Sequence, residues 1–149
     1  MKINLLLVFF LLYAGITNAQ VYGNLEIGVN RSCFKLEAGY LSELDVAHKA
    51  QIAVGIIPSF QGGMVPKIVY LKAGGQLLTF DNGIIVTPSI GIAHHWLADD
   101  LKIEKITGLY MFYSVDVSYK MKNESELVGG WSFTNNINLI SFGIKMYLK

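Results

Sequence analysis

Residues 109–121 read LYMFYSVDVSYKM, and the alternation in this stretch decides the fold class. Every second residue from Leu109 to Met121 is apolar, whereas the residues between them become polar from Ser114 onward. Successive side chains of a β-strand point to opposite faces of the sheet. The stretch therefore predicts a strand with one apolar face and one polar face.

The same period of two recurs along the chain. Seven further runs show it, at residues 21–30, 34–40, 49–56, 67–80, 84–96, 127–134 and 140–148. The run 67–80 changes parity, and a bulge at Gly74-Gly75 would restore one apolar face because it adds one residue. Asp81-Asn82-Gly83 is a strong hairpin signal, since Asn and Gly accept positive φ. We expect an all-β fold, an antiparallel up-and-down β-barrel of about eight strands.

The first 19 residues have the layout of a cleavable secretory signal peptide. Lys2 supplies the positive start, and an apolar run of nine residues, LLLVFFLLY, follows at 5–13. Thr17 and Ala19 are the small residues before a cleavage site at Gln20. The run is shorter than the roughly 20 residues of a spanning helix. We expect a signal peptide at 1–19 and the barrel at 20–149; a signal anchor that stays attached is the alternative.

The composition argues against a nucleic-acid-binding protein and against a scaffold held by disulfides. The 149 residues are 52% hydrophobic and 15% charged, with 12 Lys and Arg against 11 Asp and Glu. This charge balance predicts no nucleic-acid partner. Cys33 is the only cysteine, so export does not imply an internal disulfide.

The polar faces of the runs indicate which side of the barrel meets lipid. They carry mostly Gly, Ala, Ser, Thr and Asn, which suit the narrow interior of an eight-stranded barrel. A soluble barrel would need many charges there. We therefore predict an apolar wall facing lipid and a polar lumen in which the few charges pair with one another. That predicted lumen network is Glu26, Lys35, Glu37, Lys49, Asp116, Lys120 and Lys145. The alternative is a soluble periplasmic β-barrel that binds an apolar ligand inside.

The closing run ISFGIKMYLK, residues 140–149, resembles the last strand of small eight-stranded bacterial outer-membrane β-barrel proteins, although it ends in Leu148-Lys149 and not in an aromatic residue. The resemblance covers residues 20–149 by pattern and length. The signal-peptide ending resembles those of Bacteroidota. The resemblance implies an outer-membrane location, contact with membrane lipid and insertion by the barrel-insertion machinery. The longest breaks, 58–66 and 98–104, would be outer loops for an extracellular partner that the sequence does not identify.

His94 and His95 are the candidate functional histidines. As neighbours in a strand they point to opposite faces, so both cannot bind one metal ion. His95 with Asp99 or Asp100 could be imagined as a zinc site, but no recognised ligand spacing is present, and we predict no metal and no cofactor. His94 on the lipid side would fit a membrane-embedded lipid-modifying enzyme, yet no complete Ser–His–acid set can be assigned. We expect a structural or surface-interaction role with no assigned catalytic residue.

Overall fold

The computed structural model describes residues 19–30, 33–43, 49–58, 67–80, 82–96, 108–123, 125–135 and 137–148. Residues 1–18 of the predicted signal peptide, and most of the two predicted long loops, lie outside these ranges. The strands are β1 Ala19–Gly28, β2 Phe34–Glu43, β3 Lys49–Ile57, β4 Lys67–Gln76, β5 Leu78–Thr79, β6 Ile84–Trp96, β7 Gly108–Lys120, β8 Ser125–Thr134 and β9 Ile137–Leu148.

These strands close into a barrel. Consecutive strands pair antiparallel, except that β4 and β5 both pair with β6 and not with each other, and β1 pairs with β9. Since β4 and β5 occupy one position in the wall, the barrel has eight strand positions, which confirms the predicted fold class. Closure removes the two unpaired edges that an open sheet would expose. No helix among the described residues is long and apolar enough to cross a membrane.

The junction of β4 and β5 contains the expected bulge. Gly74 pairs with Ser89 and Leu78 pairs with Val86, so four steps on one strand oppose three on the other. The register with β3 continues unbroken to Gln76. The extra residue thus faces β6 between Gly74 and Leu78, which is the two-against-one count of a β-bulge.

The hairpin between β5 and β6 is a tight turn, as its sequence predicts. Gly83 has a φ of 85°, in the region that favours glycine. Its amide donates to the Phe80 carbonyl at 2.9 Å, and the side-chain Oδ1 of Asn82 accepts from the Ile84 amide at 3.3 Å. The asparagine and the glycine together set the register of the hairpin.

Burial alternates along every long strand, as the period of two requires. In β7, Phe112, Ser114 and Asp116 are buried, whereas Met111 and Tyr113 are exposed. The large exposed side chains of the outer wall are mostly those of Leu, Ile, Val, Met, Tyr and Phe. Residues of this kind favour strands because branched and aromatic side chains pack well on a pleated surface.

The interior contains apolar groups in two places. We call the end bearing the connections after β1, β3, β6 and β8 the loop end, and the opposite end the turn end. One apolar cluster lies towards the loop end and is made by Cys33, Ile57, Ile68, Tyr70, Ala93, Phe112 and Leu139. A smaller one lies towards the turn end and is made by Tyr22, Leu41 and Ala53. Buried charged side chains, among them Glu26, Lys35, Lys72 and Asp116, also belong to the interior.

Candidate functional site

Five charged side chains form an alternating chain across the lumen, which we call the lumen ion cluster. In order these are Glu26, Lys35, Asp116, Lys72 and Glu37. Lys35 Nζ lies 2.5 Å from a Glu26 oxygen and 3.6 Å from Asp116 Oδ1. Lys72 Nζ lies 2.8 Å from Asp116 Oδ2 and 2.9 Å from Glu37 Oε2. Each ammonium therefore contacts two carboxylates, and Asp116 joins the two halves.

Neutral side chains satisfy the outer oxygens of this cluster. Tyr22 and Tyr70 donate to the two oxygens of Glu37, at 3.0 and 2.7 Å. The Asn24 amide donates to Glu26 Oε1 at 2.6 Å, and the Ser141 hydroxyl donates to Glu26 Oε2. Hydrogen bonds of this kind help to offset the free-energy cost of removing the paired charges from water.

A second ionic group lies nearer the turn end. Lys145 Nζ is 3.8 Å from Glu126 Oε2, and the Tyr147 hydroxyl donates to Glu126 Oε1 at 2.8 Å. Lys145 Nζ also lies 4.9 Å from the centre of the Tyr22 ring, within the range of a cation–π contact. Because Tyr22 donates to Glu37, it links this group to the lumen ion cluster.

The structure places the predicted network residues in two environments. Glu26, Lys35, Glu37, Asp116 and Lys145 are all buried inside the barrel. The other two lie at the turn end of the barrel.

Lys49 is the first residue of β3, and its half-exposed side chain pairs with Glu43 at 3.0 Å. Lys120 is the last residue of β7 and is exposed. Both lie outside the lumen network that the alternation assigned them to, because strand parity gives the direction of a side chain and not its depth along the barrel.

Two buried ionic residues were missed by the sequence reasoning. Lys72 lies in the irregular run 67–80, between the exposed residues Leu71 and Ala73. Glu126 precedes the run that begins at Leu127, and extending that alternation backward by one residue would have placed it inside. In both positions the parity signal was present but lay next to a break in the pattern.

Three inward-facing glycines make room for this interior. A Cβ on Gly55 would meet the Tyr70 ring at 2.3 Å, and one on Gly39 would meet the Tyr22 ring at 2.7 Å. A Cβ on Gly130 would lie 2.7 Å from Glu26 Oε2 and 3.1 Å from Asp116 Oδ1. The glycines thus let the two tyrosines and the carboxylates lie directly against the backbone.

The histidines point to opposite faces, as their adjacency predicts. His94 is exposed on the outer wall, and His95 is fully buried. His95 Nε2 lies 3.0 Å from the Thr134 hydroxyl, and the ring is 4.8 Å from that of Tyr110. Both contacts pack His95 near the loop end of the lumen.

Among the described residues, no three of His, Cys, Asp and Glu are grouped so as to hold a metal ion. The two aspartates considered as partners for His95 at 99–100 lie outside the described residues. The described part of the lumen contains ion pairs and hydrogen bonds. These fix the inward side chains in one arrangement and offset their charges.

Comparison with known proteins gives a likeness in fold. No protein-family model matches the chain, and no curated protein matches it. It is similar to a chain described as "De novo design of transmembrane beta-barrels", with a TM-score of 0.56 and 11% identity over 87% of this chain and 94% of that one. It is also similar to the chain described as "Solution NMR structure of de novo designed TMB2.3", with a TM-score of 0.55 and 12% identity over 89% of this chain and 94% of that one. Both designed chains share the barrel architecture with this chain.

Proposed function

We propose that this chain is a small β-barrel spanning a bacterial outer membrane, with a lumen closed to solutes and a structural or surface-interaction role. The observation that carries the proposal is the inverted distribution of side chains. The outer wall is apolar, with Leu71 and Ile90 about half exposed, whereas Lys35, Lys72 and Asp116 are 1% exposed inside.

Water is a poor solvent for such a wall. Soluble monomers rarely expose contiguous apolar patches of more than a few hundred Å². Here exposed apolar residues occur on each of the long strands, including Ile27, Ile52, Leu109 and Ile144. A bilayer removes this surface from water on all sides at once, and a barrel satisfies its backbone groups without water.

The exposed aromatic residues also support a barrel that spans a bilayer. Tyr40, Phe80 and Tyr119 are exposed towards the turn end, and Trp131 is exposed towards the loop end. Barrels in membranes place such rings at both interfaces, where one part of the ring is apolar and another can reach water. The shared architecture with designed transmembrane barrels is consistent with this arrangement.

The packed interior supports a closed lumen. The largest fully buried side chains include Lys35 and Lys72 in the middle of the barrel, and Phe112 towards the loop end. The Phe112 ring stacks on Tyr70 with centroids 4.3 Å apart. Close packing of this kind leaves little room for a solute, which supports the proposed closed lumen. The buried lysines also make the centre of the interior polar, which disfavours the alternative of a soluble barrel that binds an apolar ligand inside.

The proposal is tested by extracting the protein in detergent and comparing its gel migration with and without heating. A folded membrane barrel migrates differently before and after boiling and is recovered with the membrane fraction. Recovery of the whole protein in the soluble periplasm would overturn the membrane location. Stable conductance steps in a planar bilayer would overturn the closed lumen.

The lipid-modifying enzyme is separated by a different measurement. His94→Ala and His95→Ala strains are compared with the wild type and a deletion strain by mass spectrometry of lipid A. We expect identical profiles in all four strains. A change that depends on either histidine would replace the structural role with an enzymatic one.

A further inference from the structure

The outer wall has a groove across four neighbouring strands. It has a volume of about 420 Å³ and is lined by ten residues of β9, β1, β2 and β3, of which seven are on the outward face and three, Asn24, Glu37 and Gly55, are buried residues between them. Its floor is formed where Gly23 pairs with Ala38, and both residues are on the outward face. A Cβ on Gly23 would meet no atom within 4 Å, so the space above this glycine is open.

Larger apolar side chains surround this floor. Leu25, Leu36 and Ile56 are neighbours in register and form one flank. The two ends of the groove are formed by Met146, which pairs with Gly23, and by Val54, which pairs with Ala38. All five of these side chains are 38–56% exposed, so the groove opens outward and not into the lumen.

We propose that this groove holds one acyl chain of a phospholipid from the surrounding bilayer. The proposal rests on the membrane location proposed above. Gly23 and Ala38 are each the fifth residue of a ten-residue strand, so the floor lies midway along the wall. That is the depth of acyl chains in a spanning barrel, well away from headgroups.

The dimensions favour a thin occupant. Four strands about 4.8 Å apart give a groove roughly 14 Å long. Ten lining residues are few beside the roughly 20–30 residues that each partner contributes to a stable protein interface. A flexible chain of methylene groups fits such a groove, and it gains dispersion contacts that a flat wall cannot provide.

The experiment counts phospholipid molecules retained by the full chain. Wild type, Gly23→Leu and Gly129→Leu are folded into palmitoyl-oleoyl-phosphatidylcholine vesicles, transferred to mild detergent and weighed by native mass spectrometry. Gly129 is the matched control because it also faces outward, on β8, and its Cβ would make only ordinary contacts at 3.9–4.0 Å. Ala38→Leu fills the same floor from the adjacent strand and replaces Gly23→Leu if that variant does not fold.

We expect one retained phospholipid on wild type and Gly129→Leu, and an occupancy at least about threefold lower when the floor is filled, because the packing contacts are lost. Equal occupancy in all variants, or none on the wild type, would overturn the inference. A dimer of wild type that the filled floor abolishes would overturn it in favour of a second copy. Loss of heat-modifiable migration in every protein, wild type included, would instead overturn the membrane location.

Discussion

The two faces of each strand in this barrel obey opposite rules. In β7, Tyr113 and Val117 point outward and are close to half exposed, whereas Ser114 and Asp116 point inward and are buried. A globular protein places these residue types the other way round. The difference teaches that period-two alternation specifies which residues share a face, whereas the chemistry of the two faces supports the proposal that the outer one meets lipid.

The faces also differ in how strongly each residue depends on its neighbours. In the proposed membrane barrel, an outward residue such as Leu71 would meet fluid lipid, and we expect it to tolerate exchange for another apolar side chain. An inward ion such as Lys72 is held by Glu37 and Asp116, and each of these depends on it in turn. Mutations on the two faces should therefore have effects of different size and kind.

The largest effect is expected from Lys72→Met. The substitution leaves two buried carboxylates without the ammonium between them, which costs about 3–5 kcal/mol of unfolding free energy. Urea titration of the folded barrel in vesicles measures the change. Lys49→Met is the matched control, since its half-exposed pair with Glu43 should contribute less than about 1 kcal/mol. Equal losses in the two variants would contradict the expectation that an ion pair in the lumen ion cluster contributes more to stability than the half-exposed pair at the turn end.

Leu71→Lys tests the outer wall. Leu71 is the fifth residue of β4 and is 50% exposed, so the new charge would lie near the bilayer midplane. We expect a loss of about 2–4 kcal/mol by the same titration. Leu71→Met, which keeps an apolar side chain of similar size, should be nearly neutral. If the lysine variant were as stable as the methionine variant, the wall would face water.

Gly55→Ala tests the close packing inside against the open space outside. The added methyl group would collide with the Tyr70 ring, which is held between Phe112 and Glu37. We expect a loss of about 1–3 kcal/mol, as for other overpacked cores. Gly23→Ala should change the unfolding free energy by less than about 0.5 kcal/mol, because it adds a methyl group on a surface with no close neighbour. A larger loss for Gly23→Ala than for Gly55→Ala would show that backbone conformation, and not the space around the glycine, determines the cost of adding a methyl group.

The smallest effect is expected from Thr134→Val, which removes the hydroxyl beside His95 and keeps the shape of the side chain. The buried ring nitrogen loses a partner, at a cost of about 1 kcal/mol. Thr134→Ser retains the hydroxyl and serves as the control in the same unfolding measurement. A valine variant that matches the serine variant would show that this contact contributes nothing to stability.

Much of the fold was accessible from the sequence because the barrel depends on local patterns. The alternation predicted the eight strand positions, and Asn82-Gly83 predicted a hairpin that the structure confirms. The bulge near Gly74 could be predicted from a change of parity alone, since an extra residue is the simplest way to keep one face apolar.

The lumen was harder to predict, for two physical reasons. Depth along the barrel axis depends on strand tilt and stagger, which a single strand does not encode. Lys49 and Lys120 have inward parity, yet both lie at the turn end, beyond the ion cluster. Lys72 was missed because its strand is irregular, although it contacts two of the carboxylates that the sequence did identify.

The sequence by itself determined the period, and with it the antiparallel barrel and the residues that share a face. Only the tertiary structure decided which charges meet, because the Lys72–Asp116 contact joins residues 44 positions apart in the chain. Only the tertiary structure placed Gly23 beside Ala38 and opened the groove on the outer wall. The alternation is a property of each strand, whereas pairing and depth follow from how the strands are staggered around the closed barrel.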